Sequence, residues 1–69
     1  MADHVYKLSE IVGTSHDGHD AAIKAALSRA QQSIRNIRWF EVVAQRGYVE
    51  ADGGILSQVT LKIGFTLDG

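Results

Sequence analysis

The spacing of apolar positions changes along the chain, and each change marks an element. Residues 5–12 (VYKLSEIV) alternate imperfectly, with Tyr6, Leu8 and Val12 on one parity and Val5 and Ile11 on the other. Mixed parity of this kind fits a strand at least partly covered on both faces. Gly13, Thr14 and Ser15 are read as breaking it. Asp17, three residues before Asp20, gives an approximate N-capping arrangement with an acid in the first helical turn. From about 18 to 37, apolar residues recur at steps of three and four. Ile23, Ala26, Leu27, Ala30 and Ile34 form one stripe, while Lys24, Ser28, Arg29, Gln31, Gln32 and Arg35 lie mostly elsewhere. Alanines at 21, 22, 25, 26 and 30 add helix propensity and keep the helix thin enough to lie close against a sheet.

Residues 38–49 (RWFEVVAQRGYV) are aromatic and β-branched, as strands are. Trp39, Glu41, Val43 and Gln45 share one parity, and Phe40, Val42 and Ala44 the other. Gly47 is expected to mark a bulge or a close backbone approach. Asp52-Gly53-Gly54 is a strong turn signal between strands. From Ile55 to Leu67 the alternation is clean. Ile55, Ser57, Val59, Leu61, Ile63, Phe65 and Leu67 should face the helix; Leu56, Gln58, Thr60, Lys62, Gly64 and Thr66 should face away. The pattern predicts one α+β domain over residues 1–69, in the order β-α-β-β. The last two strands form a hairpin, and the first joins the sheet after the helix crosses over. Strands this long exceed the cover one helix can give, so other copies should supply the rest.

Composition strengthens that expectation. A chain of 69 residues buries only about 60% of the surface its unfolded form exposes. With no cysteine, disulfides and thiolate zinc sites are excluded, which leaves oligomerisation as the favoured remedy. A net charge of −1 offers no basic footprint for nucleic acid. No apolar run reaches membrane-spanning length, and the first residues lack the features of a signal peptide, so a cytoplasmic location is expected.

Few residues could carry chemistry. Trp39, the single tryptophan, is either interface filler or a platform for a planar ligand, since its neighbours Glu41 and Gln45 set it on a polar face. Gln58, on the polar parity of the last strand, offers a donor and an acceptor side by side, suited to the edge of a pyrimidine-like ring. Arg46 could stack on an aromatic plane or pair with a carboxylate. Its parity differs from that of Trp39, so a bulge near Gly47 or a second protomer is needed to bring them together. His16 and His19 stand near Asp17 and Asp20, a spacing compatible with a weak metal site but commoner in solvated caps. No nucleophile–base pair or phosphate loop stands out, so the residues give no support for catalysis.

The ordered set V-Y-K (5–7), E-I-V-G-T-S (10–15), an alanine-rich helix, R-W-F-E-V-V (38–43), R-G (46–47) and Q-V-T-L-K-I-G-F (58–65) resembles the dodecins. These are small flavin-binding proteins, and the resemblance covers essentially the whole chain. It implies a three-stranded antiparallel sheet wrapped around one helix, assembled into a hollow homododecamer. It further implies flavins held in pairs between tryptophans of neighbouring subunits, for storage and protection from light without turnover. Trp39 would be the stacking residue, Gln58 the hydrogen-bonding partner of the isoalloxazine, and Arg46 a neighbour of FMN, or of riboflavin or FAD in its place. Some members also bind coenzyme A, for which Lys7 is a plausible phosphate contact. Two positions depart from the family pattern: His19, often aromatic, and Thr66, often Arg in bacterial members. The second weakens the expectation of a phosphate or coenzyme A contact. A subgroup without the tryptophan does not bind flavin, and Trp39 argues against membership of that subgroup.

Overall fold

The computed structural model describes residues 3–67. Strand β1 (Tyr6–Ser15) leads to helix α1 (His19–Gln31), and strands β2 (Ile37–Val49) and β3 (Ile55–Thr66) form the closing hairpin. The strands pair antiparallel in the order β1-β3-β2, so β3 is central. This is the expected β-α-β-β arrangement. The hairpin loop is closed by Glu50 N–H on the Gly54 carbonyl and Gly53 N–H on the Glu50 carbonyl. Gly53 takes a φ of 88°, which a glycine adopts without the steric penalty of a side chain.

Gly13 does not end β1. The strand continues through it to Ser15, with Gly13 opposite Val59 and Ser15 opposite Ser57. The residue serves packing: a methyl group there would collide with the carbonyl oxygen of Ala22 and with Cβ of Ala26. The helix therefore rests directly on the strand backbone. Its buried line is Ala22, Ala26 and Ala30, of which Ala22 and Ala26 pack against Val59 and Leu61. Ile11, Ile23, Leu27 and Val42 pack around this contact. Burying such apolar surface is the principal favourable term in folding. It is concentrated here at the middle of the molecule.

Both helix ends differ from expectation. Gly18 is the N-cap and no side chain caps the helix; the Asp17 N–H instead donates to Ser15 Oγ. Asp20 does lie in the first turn, where its charge suits the positive end of the helix dipole. At the other end the helix stops at Gln31 rather than near residue 37. The Ser33 and Ile34 N–H groups both donate to the Ala30 carbonyl, and Asn36 adopts a left-handed φ of 65°. Ser, Asn and β-branched Ile are weaker helix formers than the alanines before them. The apolar period thus outlasts the helix.

The helix-facing parity of β3 holds where α1 covers it. Ser57, Val59, Leu61 and Ile63 are buried, whereas Ile55 and Leu67 at the ends are exposed. A helix of 13 residues is about 20 Å long, and a strand of 12 runs about 40 Å. The bulge expected near Gly47 lies instead between Val42 and Ala44, while Gly47 pairs regularly with Ser57. A second irregularity falls between Ile37 and Trp39. Replacing Gly13 with Ala should lower unfolding stability by about 1–3 kcal/mol, read from chemical denaturation, because the obstruction is backbone that cannot turn aside. A Gly13→Ala protein as stable as the parent would show that the helix does not depend on this contact.

Candidate ligand-binding face

The sheet face opposite α1 carries the candidate residues in cross-strand rows. Leu8, Gly64 and Trp39 form one row; Glu10, Lys62 and Glu41 the next; then Val12, Thr60 and Ala44; and then Thr14, Gln58 and Arg46. The bulge explains how Arg46 arrives here. Val42 lies opposite Leu61 on the helix side, yet Ala44 lies opposite Thr60 on the other. One extra residue, Val43, reverses the parity of β2 beyond it. Trp39, Gln58 and Arg46 thus share a face of a single protomer, and Gln45, expected beside Trp39, turns to the other side.

Trp39 lies flat across its neighbour. A methyl group on Gly64 would overlap the indole at Cε2, Cζ2 and Nε1, so the ring occupies the space a side chain would fill. Tyr6 meets it edge-on, with ring centroids 6.3 Å apart and planes at 66°, a favourable aromatic geometry. Even so, Trp39 remains 38% exposed, and Leu8, Val12 and Tyr48 on the same face are more exposed still. The indole is oriented by its own protomer yet left open for a further contact.

The polar candidates lie apart from it. Gly64 and Gln58 are six residues apart on β3, roughly 20 Å at strand rise, which is longer than the fused three-ring plane of a flavin. Between them, Lys62 pairs in register with Glu10 on one side and Glu41 on the other. Lys7 is opposite Phe65 and therefore belongs to the helix side of the sheet, away from the other three candidates. The histidines are also separated. His16 Nε2 contacts Glu50 Oε1 at 3.0 Å, and His19 Nε2 contacts the Arg46 carbonyl oxygen at 3.1 Å. Among the described residues, no three His, Asp or Glu side chains are grouped as metal ligands would be. No described helix is long and apolar enough to cross a membrane. A cleft of about 410 Å³ between β1 and the end of α1 is lined by Ile11, Val12, Ala26 and Ala30 among others, and contains none of the candidates.

The sequence model of the dodecin family matches residues 5–68. This chain belongs to the dodecins. It is 48% identical over 64 residues to the dodecin of Thermus thermophilus, a match covering 93% of each chain. The dodecin of Streptomyces davaonensis superposes with a TM-score of 0.92 at 44% identity, over 99% of this chain and 100% of that one. A more distant relative, the calcium dodecin of Mycobacterium tuberculosis, is 33% identical over 91% of this chain and 89% of its own length. The dodecin fold accounts for the β1-β3-β2 sheet and the long hairpin observed here.

Tyr6 and Gly64 were not among the sequence candidates. Gly64 had a legible signal, as a lone glycine within a strongly alternating strand, a position that often marks a close approach. A Gly64→Ala replacement should displace the indole. The expected readout is a shifted Trp39 emission maximum with the far-ultraviolet circular dichroism of the fold retained. An unchanged emission spectrum would mean that the ring does not rest on Gly64.

Proposed function

We propose that this dodecin stores and shields a flavin, FMN foremost, stacked on Trp39 in a site completed by a neighbouring copy of the chain. The observation that carries this reading is the indole itself, held flat over Gly64 and backed by Tyr6, yet left partly bare on a face its own helix does not cover. Such a surface suits a planar aromatic ligand. The distance between the Trp39 and Gln58 rows supports a shared site, because one protomer cannot easily offer both to the same ring system. A hollow dodecamer is the assembly proposed to bring them together.

A bound flavin supplies a planar acceptor and, when illuminated, an oxidising excited state. The electron-rich indole of Trp39 would quench that state by donating an electron and taking it back, with the excitation released as heat. The Gln58 amide addresses the polar edge of the ring with a donor and an acceptor. The Arg46 guanidinium favours a phosphate-bearing flavin over riboflavin, which is why FMN leads. With the ring enclosed between indoles, no space is left for a substrate, and the role proposed is binding without turnover in the cytoplasm. Coenzyme A would be a second, separate cofactor. Lys7 lies on the other side of the sheet, so coenzyme A held there should bind without displacing flavin.

FMN titrated with the assembled protein should lose most of its fluorescence. Trp39→Ala should weaken binding by roughly 5–150-fold, the scale of one to three kcal/mol for a stacked aromatic. Unquenched FMN at saturating protein would refute the reading.

A further inference from the structure

Thr14 stands in the same row as Gln58 and Arg46: it is opposite Gln58 on β1, as Arg46 is on β2. Neighbouring strands are about 4.8 Å apart. A hydroxyl, an amide and a guanidinium therefore originate from adjacent strands on one face, with the amide in the middle. Thr14 and Arg46 are exposed and Gln58 is half-buried. Among the described residues, no hydrogen bond or ion pair engages any of these three side chains. Elsewhere the polar side chains of this end are occupied: His16 with Glu50, His19 with the Arg46 carbonyl, and Ser15 with the Asp17 N–H. An exposed Thr is common on strands because β-branching suits them. Alignment with two other unengaged groups of complementary hydrogen-bonding character is what sets this one apart.

We propose that Thr14 is a further flavin-binding residue, its hydroxyl taking a ring carbonyl beside the one addressed by Gln58. The inference rests on the flavin reading above and assigns an additional part of the same site. A pyrimidine-dione edge presents carbonyl acceptors on either side of an N–H donor. The Gln58 amide can match one acceptor and the N–H, leaving the next carbonyl for a donor from a neighbouring strand. A threonine hydroxyl rotates to serve as that donor. Arg46, on the opposite flank, remains available to the phosphate. Thr14 then contributes to recognition of the ring, and Arg46 to recognition of its charged tail.

The test compares FMN and riboflavin binding to the parent, Thr14→Val, Thr14→Ser and Gln58→Leu, with native mass spectrometry to check that subunit number is unchanged. Thr14→Val preserves β-branching and volume, and should weaken both ligands about fivefold, the scale of one net hydrogen bond. Thr14→Ser should restore most of the loss. Thr14→Val binding both ligands like the parent while Gln58→Leu is weakened would overturn the role of Thr14 and leave the flavin reading standing. Loss confined to FMN would also overturn it, by placing the hydroxyl at the phosphate. A parent protein that binds neither ligand would instead remove the flavin reading itself.

Discussion

A short helix laid on long strands is the constraint from which the other features follow. The buried contact between Ala22 and Ala26 and the centre of β1 and β3 is thin, close and local. It leaves the ends of the strands and the whole opposite face of the sheet without cover. Phe40, Val49 and Ile55 lie exposed beyond the reach of the helix, and Leu8, Val12 and Trp39 are exposed on the far face. Apolar surface distributed in this way marks an interaction surface. The shape of the molecule, 55 × 20 × 14 Å, is that of a slab suited to lateral packing. Assembly and ligand binding draw on the same bare surface, which is why the two are proposed to be inseparable.

The second determinant is a single inserted residue. Without the bulge at Val43, Arg46 would project toward the helix side, and no protomer would present its guanidinium beside Gln58. With it, β2 offers the indole at one end of the far face and the guanidinium toward the other. The intervening Glu10, Lys62 and Glu41 row separates them, so an aromatic zone and a hydrogen-bonding zone occupy different parts of one surface. The proposed site joins zones from different copies.

Much of this was legible in the order of residues. The clean alternation of β3 identified its buried set because one face meets the helix and the other does not. Element boundaries were less legible. Gly13 looked like a breaker, but its role is to admit a helix that the sequence places elsewhere in the chain. Ile34 continued the apolar period after the hydrogen-bonded helix had ended, because periodicity registers side chains and not backbone bonds. Parity also failed in β2. A bulge involving Val43 has no compositional mark, whereas Gly47, the visible candidate, pairs normally. Trp39, Gln58 and Arg46 could be named from residue type and family resemblance, but their common face required the register. Lys7 was named in the same way, and the register sets it apart from the other three.

The central claim is that flavin belongs to the assembly and not to the single chain. Native mass spectrometry of the protein saturated with FMN reports subunit number and bound mass in one spectrum. The expected result is a dodecamer carrying flavin, with all the ligand lost when the particle dissociates into bare protomers. Flavin retained by monomers, or a fully formed oligomer with none bound, would contradict it.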